Sequence, residues 1–200
     1  CASDGQVIKT FAAYTYSNVE LNEVPEQLVK ALIATEDKNF YHHQGYDLLG
    51  LARSMVANIL AGRVVQGAST ITQQLSRILL AAQIEKTISK DKILEMYLNN
   101  VYLGSGAYGV KGAAKIYFNK NLNELTLSEM ALIAGLPQAP SVYSPYNDIK
   151  LAEKRRNQVL LRMLKMRYIN KKTYEAAKKE PIKLSTMPML YATNKAPYFC

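Results

Sequence analysis

Tryptophan is absent from this sequence, cysteine occurs only as Cys1 and Cys200, and no apolar run reaches the ~18 residues that a membrane-spanning helix needs. Because the two cysteines lie at opposite ends and no C-x-x-C pattern is present, the common zinc and dithiol sites are excluded. No secretion signal is visible either. The chain begins abruptly within a strand-like pattern, and we therefore expect it to be a fragment of a longer protein.

The composition supplies a core and an excess of positive charge. Hydrophobic residues make up 48% of the 200 residues, which is enough for one sizeable domain and argues against disorder. Lysine and arginine outnumber aspartate and glutamate by 25 to 16, for a net charge of +9. This balance favours anionic partners such as nucleic acid, acidic lipid headgroups or phosphate-bearing substrates. The alternative is a basic protein whose charges are spread over solvated faces.

The periodicity of apolar residues predicts a mainly α protein, a compact helical bundle with a short N-terminal β arm at Gln6–Ala12. Arg155 and Arg156 are predicted to lie on a solvated or salt-bridged face of a long helix. The segment between Pro137 and Pro145 is predicted to be irregular. Helices are predicted from Pro25, at Leu48–Ala61, from Ser69, and at Asp91–Leu103, Val110–Phe118, Thr126–Gly135, Ile149–Arg167 and Asn170–Lys179, with Gly104–Gly109 as a loop and an extended tail from Pro181.

A pair of adjacent carboxylates, Glu36 and Asp37, ends the first predicted helix and is followed by aromatic residues and histidines. A glutamate partly buried beside aromatic rings can have a raised pKa and act as a general acid or base. The simpler interpretation is a charged helix end with histidines packed against it.

The segment Gly67–Gln74 places hydroxyl and amide side chains at the start of a predicted helix. Free backbone N–H groups and the positive end of the helix dipole suit a phosphate or a sugar there. Arg77, one turn later, adds a positive charge. Ordinary helix capping is the alternative.

Taken in order, these segments resemble the glycosyltransferase family 51 domain of class A bifunctional penicillin-binding proteins. The matching segments are E-D-x-x-F-x-x-H-x-G at Glu36–Gly45, G-x-S-T-I-T-Q-Q at Gly67–Gln74, Ile93–Gly104 with Tyr108–Gly109, Leu127–Pro140 and Arg155–Asn157. Lys195–Phe199 also resembles the start of a linker into a transpeptidase domain.

The resemblance implies a lysozyme-like fold with a membrane-embedded lobe and a peptidoglycan glycosyltransferase activity. Lipid II would be polymerised into β-1,4 glycan strands with release of undecaprenyl pyrophosphate, and Glu36 matches the position of the general base. Arg77, where the family usually has lysine, would stabilise the charge of the leaving group. The expected substrate-binding residues are Asp37, Ser69, Thr70, Gln73, Gln74, Arg77 and Asn99. No metal ligand is expected, although assistance by a divalent cation such as Mg²⁺ stays open.

The resemblance also implies an organisation and a location. Residues 1–24 would be the β arm and a linker from a membrane anchor, 25–180 the glycosyltransferase domain, and 181–200 the start of the linker toward a transpeptidase domain. The expected partners are lipid II, the nascent glycan strand, an anionic membrane surface and the transpeptidase domain of the parent chain, with no nucleic acid. The expected location is the periplasmic face of the bacterial inner membrane, and the antibiotic moenomycin is an expected ligand.

One departure from the family concerns its R-K-x-x-E block, whose glutamate is the second catalytic carboxylate. Here Arg77 is followed directly by Ile78, and on the order of fifteen residues are absent, within the few-residue error of such boundaries. Either the protein has a deletion, or the natural chain carries a flap that the present sequence lacks, which is the interpretation we favour. Glu85 and Glu95 are the remaining candidates for the role of the missing glutamate, but no family motif supports either of them.

Two rival functions stay open from sequence. A lysozyme-like hydrolase would use a second carboxylate and water to cleave finished glycan. A basic helical nucleic-acid-binding module would need a stripe of cations on one recognition helix, whereas the cations here are scattered.

Overall fold

The computed structural model of the protein describes residues 18–43 and 80–185, and these ranges are mainly helical. They hold α1 (Glu26–Glu36), α2 (80–87), α3 (Lys90–Asn100), α4 (Gly109–Ala113), α5 (Leu127–Gly135), α6 (Pro140–Tyr143), α7 (Ile149–Lys165) and α8 (Lys171–Lys179). Single 3₁₀ turns lie at Leu21–Glu23 and Leu122–Glu124, and α4 continues as a π-helical turn at Ala114–Phe118. Between Tyr102 and Tyr108 there is an isolated antiparallel bridge, and the described ranges contain no sheet.

The prediction of a mainly α protein is therefore confirmed. The predicted strand at Gln6–Ala12, the predicted helix at Leu48–Ala61 and the helix start at Ser69 lie outside the described residues. Within the described ranges no helix is both long and apolar enough to cross a bilayer.

The core is built around α5, whose sequence LSEMALIAG is apolar on nearly every side. A helix of this kind has no polar face to turn to solvent and must be surrounded by others. Helices α1 and α7 pack against α5 and against each other. Fully or almost fully buried side chains of this core include Leu28 and Leu32 of α1, Leu132 and Ile133 of α5, and Val159 and Leu160 of α7. Burial of each such side chain contributes roughly 1.5–3 kcal/mol.

Capping side chains set where several helices begin. Thr126 and Glu129 form a capping box at the start of α5, with the Thr126 side chain accepting the Glu129 N–H. Asn170 caps α8 by accepting the Thr173 N–H, and Asp148 caps α7 by accepting the Leu151 N–H. Each cap satisfies a backbone N–H that the helix itself cannot pair, worth about 1 kcal/mol.

The end of α3 differs from the prediction. A helix was expected to run to Leu103, but it ends at Asn100 because Val101 is extended and Tyr102 pairs with Tyr108. Gly109 closes this loop with a φ of +68°, and a Cβ there would lie 2.6 Å from the Asn99 carbonyl oxygen. Glycine alone fits such a close approach at positive φ. The segment predicted to be irregular between Pro137 and Pro145 also contains one helical turn, α6.

The prediction of a solvated or salt-bridged face for Arg155 and Arg156 is wrong, because both side chains are buried, at 3% and 2% exposure. Arg155 Nε donates to the carbonyl oxygen of Gly135 at 2.9 Å, at the end of α5. The Arg156 guanidinium donates hydrogen bonds to Ser128 Oγ and to the carbonyl oxygens of Lys178 and Glu180 at the end of α8. A guanidinium carries five N–H donors in a planar fork, so it can be buried where several carbonyl oxygens converge.

Candidate active site

Glu36 is the last residue of α1, and the chain leaves the helix immediately after it. Asp37 caps the C-terminus with φ −153° and ψ 86°, and its backbone N–H still donates to the Ile33 carbonyl oxygen at 3.1 Å. Residues 38–43 then turn back on the helix end. The helix thus presents the Glu36 carboxyl group at its exit, where the main chain does not cover it.

Beside Glu36 lies a small, almost wholly apolar pocket of about 210 Å³ between the end of α1 and α3. Its lining residues are Leu32, Ile33, Glu36, Asp37, Phe40, Ile93, Leu94 and Tyr97. The Glu36 side chain is accessible to solvent on one side and faces these apolar walls on the other. A carboxyl group in this position is reachable by a substrate and only partly hydrated.

The environment of Glu36 pushes its pKa in two directions, and burial prevails. Partial burial raises the pKa above the ordinary value of 4.5, while the positive charges of Arg155 and Arg162 oppose the rise. The same pocket affects Tyr97, since burial and the negative charge of Glu36 raise its pKa to about 12. A carboxylate that is more basic than usual and faces fixed cations suits a general base.

The two arginines that face Glu36 both come from α7, two helical turns apart. Arg162 donates to the carbonyl oxygen of Thr35 at 2.8 Å, one residue before Glu36. Arg155 is held by its bond to Gly135 and by the ring of Tyr143, whose centroid lies 5.3 Å from the guanidinium carbon. Sequence reasoning did not place either arginine in the site. The motif segment Arg155–Asn157 was a signal for the first, and Arg162 carried none.

The turn after Glu36 is held by a polar cluster, defined here as Asp37, His43, Glu85 and Lys90. Asp37 Oδ2 lies 2.5 Å from His43 Nε2. On the other side of the ring, His43 Nδ1 lies 3.4 Å from Lys90 Nζ and 3.7 Å from Glu85 Oε1. Lys90 Nζ donates to Glu85 Oε1 at 2.6 Å. The cluster therefore joins the end of α1 to α2 and to the start of α3.

Asp37, a predicted substrate-binding residue, uses its carboxylate for contacts within this turn. In addition to the contact with His43, its Oδ1 accepts the backbone N–H of Asn39 at 3.2 Å. These contacts give Asp37 a role in shaping the exit of the helix.

Asn99, another predicted substrate-binding residue, also serves the main chain. Its Nδ2 donates to the carbonyl oxygens of Val19 and Glu95, each at 2.9 Å, and its Oδ1 accepts the Val19 N–H at 2.8 Å. Both amide hydrogens are used, so the side chain fastens the segment around residue 19 to α3. The other predicted binding residues, Ser69, Thr70, Gln73, Gln74 and Arg77, lie outside the described residues.

The two candidate substitutes for a second carboxylate are both paired. Glu85 is held by Lys90. Glu95 pairs with Lys92 and accepts the Leu21 N–H, and these hydrogen bonds lower the pKa of Glu95. Neither carboxylate lines the pocket beside Glu36. In the part of the chain that is described, no group of three or more His, Cys, Asp or Glu side chains is placed to hold a metal ion.

The family model described as Transglycosylase matches residues 4–164, which is most of the chain. The chain belongs to the transglycosylase family. Among relatives of this transglycosylase domain, penicillin-binding protein 1A of Haemophilus influenzae is 48% identical over 196 residues, covering 90% of this chain and 23% of the relative. Penicillin-binding protein 1A of Escherichia coli is 43% identical over 197 residues, with 90% and 23% covered.

A solved structure supports the same assignment for the transglycosylase fold. The crystal structure of penicillin-binding protein 1A from Haemophilus influenzae matches with a TM-score of 0.58 at 39% identity, covering 85% of this chain and 18% of that one. The helical, lysozyme-like fold expected from the motifs is thereby confirmed. The transglycosylase chain spans only about a quarter of the length of the curated relatives it matches.

Proposed function

We propose that this transglycosylase domain is a peptidoglycan glycosyltransferase that polymerises lipid II, with Glu36 as its general base. The observation that carries the proposal is the place of Glu36, a solvent-accessible carboxylate of raised pKa at the mouth of an apolar pocket and facing Arg155 and Arg162. Family membership and the similarity to penicillin-binding proteins 1A support the reaction class.

In the proposed reaction, the acceptor is the 4-hydroxyl group of the lipid II N-acetylglucosamine. Glu36 takes the proton of this hydroxyl as its oxygen attacks the anomeric carbon of the donor, the growing glycan on undecaprenyl pyrophosphate. The bond between that carbon and the pyrophosphate oxygen breaks, and undecaprenyl pyrophosphate leaves with the bonding electrons. Attack from the opposite face converts the α-linked donor into a β-1,4 product.

The environment of Glu36 suits this role because burial raises its pKa while two nearby positive charges limit the rise. The apolar walls make the carboxylate a stronger base than a hydrated glutamate, and the two arginines favour the ionised form that can accept a proton. A base is most effective when its pKa lies near the working pH. The arginines are fixed by the main-chain oxygen atoms of Thr35 and Gly135, so they need no rearrangement as charge develops.

The binding residues of the proposal come from the S-T-I-T-Q-Q segment. We assign contacts with the pyrophosphate and sugars to Ser69, Thr70, Gln73 and Gln74, and charge stabilisation to Arg77. The basic net charge of +9 fits an anionic membrane surface and an anionic lipid-linked substrate. The proposed location is the outer face of the bacterial inner membrane, with a transpeptidase domain elsewhere in the parent chain.

A first experiment concerns the absent R-K-x-x-E block. We expect the present chain to bind moenomycin but to polymerise fluorescent lipid II slowly, because a second carboxylate is missing. Insertion of an R-K-x-x-E segment of family length between Arg77 and Ile78 should raise the rate. The matched control carries glutamine in place of that glutamate and should stay slow; equal rates for the two insertions would show that no second carboxylate is needed.

The second experiment tests Glu36 in whichever of these proteins is more active. Glu36→Gln is expected to lower the rate of polymerisation by about 10²–10⁴-fold, the usual contribution of a general base. Glu26→Gln, on the exposed first turn of the same helix, is the matched control and should retain the rate. A near-normal rate in Glu36→Gln would reject the assignment, and release of short muropeptides from finished glycan would favour a hydrolase.

A further inference from the structure

We propose that Glu85 and Lys90 are positioning residues for Glu36, which hold the turn at residues 37–43 against α2 and α3 and so keep the apolar wall beside Glu36 closed. The role assigned to Glu36 rests on the proposed function, but the contacts of Glu85 and Lys90 do not. They belong to neither the pocket lining nor the pair of arginines that face Glu36.

The turn after α1 is held by hydrogen bonds of its own and by contacts with α2 and α3, among them the bond from the Tyr41 hydroxyl to Asp91 Oδ1 at 3.1 Å. Asp37 binds Asn39 and His43, which are all within the turn itself. Its attachment to the rest of the molecule in the polar cluster comes from residues more than forty positions later, because His43 faces Lys90 at 3.4 Å and Glu85 at 3.7 Å. The side chains of Glu85 and Lys90 are 12% and 21% exposed, so their ion pair is largely shielded from water. Loss of one partner of a shielded pair is costly, because it leaves the other charge poorly hydrated and without its counter-ion.

Lys90 also connects the ion pair to the wall of the Glu36 pocket. Its ammonium nitrogen lies 4.6 Å from the centroid of the Phe40 ring, and Phe40 is one of the apolar residues that line the pocket. Phe40 packs edge-on against Tyr41 and His43, with ring centroids at 5.1 and 6.3 Å. A cation over an aromatic face contributes about 0.5–2 kcal/mol. Lys90 therefore holds both the polar and the aromatic side of the turn.

The effect of a displaced turn on the Glu36 pKa depends on the groups that surround the Glu36 carboxylate. These are Arg155 and Arg162 from α7, Tyr97 from α3, and the neighbouring Asp37 in the turn. Burial is the largest influence on the Glu36 pKa, and Phe40 supplies part of that burial. If the turn moves outward, water enters the pocket and the Glu36 pKa falls toward 4.5.

The direction of this shift separates the proposal from a simple charge effect. Removal of a positive charge near a carboxylate raises its pKa, because the ionised form loses a favourable interaction. Loss of the apolar wall lowers it. A downward shift in a variant that lacks Lys90 therefore identifies the wall, and an upward shift identifies direct electrostatics.

The experiment is a titration of the Glu36 carboxyl carbon by NMR in the full chain, with Lys90→Met as the variant. We expect the Glu36 pKa to decrease, and the acidic limb of the kcat/KM profile to move to lower pH with it. Lys30→Met is the matched control, because Lys30 also combines an ion pair with a cation–aromatic contact. Lys30 lies on α1, the helix that ends at Glu36. Its ammonium nitrogen is 2.6 Å from Glu26 Oε1 and 5.8 Å from the ring centroid of Tyr168. This control should leave the Glu36 pKa unchanged.

A second variant keeps the test decisive if Lys90→Met is poorly folded. Lys90→Met removes the ammonium group that pairs with Glu85, whereas Glu85→Gln combined with Lys90→Met also removes the charge of Glu85. The double variant should fold better than Lys90→Met and still show the lowered Glu36 pKa. An unchanged or raised pKa in a folded variant that lacks Lys90 overturns the proposal. Because the titration needs no lipid II, this result is independent of whether Glu36 is the general base.

Discussion

Replacement of Arg156 by methionine tests the least expected feature of the fold, an arginine buried at 2% exposure between α5, α7 and α8. Its guanidinium donates to Ser128 Oγ at 3.0 Å and to the carbonyl oxygens of Glu180 at 2.6 Å and Lys178 at 2.9 Å. Methionine keeps most of the apolar stem and removes these three bonds, together with the bond from Arg156 Nε to Asn157 Oδ1 at 3.1 Å. It also leaves the last carbonyl groups of α8 without these donors.

The expected loss can be worked from these contacts. A hydrogen bond from a charged group contributes about 1.5–3 kcal/mol, but removal of the guanidinium also relieves the cost of burying its charge. That cost is visible in Arg156 itself, whose pKa is lowered chiefly by burial. We therefore expect Arg156→Met to lose about 3 kcal/mol, the upper end of the cost of leaving buried neutral acceptors without their donors. The melting temperature should fall by roughly 6–12 °C for a chain of this size.

The assay is urea unfolding followed by far-UV circular dichroism, with Lys154→Met as the control. Lys154 is exposed on the same helix, so its replacement should change the free energy of unfolding by less than about 0.5 kcal/mol. Arg156→Lys keeps the charge without the planar fork and should show an intermediate loss. A loss below about 1 kcal/mol in Arg156→Met, with an unchanged m-value, would refute the reasoning that these bonds are formed and buried.

Three further changes test other parts of the structure. Because burial raises the Glu36 pKa above 4.5, the ionisation of Glu36 destabilises the folded state as the pH rises above 4.5. Glu36→Gln should therefore gain stability relative to the parent as the pH rises above 4.5 in urea titrations. The pKa of Tyr97 is raised from 10.0 to about 12, so ionisation of Tyr97 should destabilise the folded state as the pH rises between these values. Tyr97→Phe should reduce the loss of stability in alkaline unfolding. Gly104 has a φ of +85°, and an added Cβ would lie 2.7 Å from the Pro140 carbonyl oxygen and 2.9 Å from the Tyr117 hydroxyl. We expect Gly104→Ala to cost at least about 1–2 kcal/mol in thermal unfolding, and a neutral result would contradict the close packing of this loop.

Sequence patterns predicted helix boundaries correctly where the boundary depends only on interactions between neighbouring residues. The predicted starts of α1 at Pro25, α5 at Thr126 and α8 at Asn170 each depend on a few neighbouring residues, and the structure confirms all three to within one residue. The end of α3 was misplaced by three residues because Tyr102 leaves the helix to pair with Tyr108. That pairing depends on the loop between them, which helical periodicity does not register.

By itself, then, the sequence determined the mainly helical class, the positions of most helices and the motif residue Glu36 at the end of the first one. Only the tertiary structure decided that Arg155 and Arg162 face Glu36 and that Arg156 is buried, because helix–helix packing selects which charged side chains meet carbonyl oxygens instead of water. It also decided that Glu85 and Lys90 reach the turn after Glu36. Such contacts join residues at least twenty positions apart, and the energy of a buried charge depends on partners that no local pattern contains.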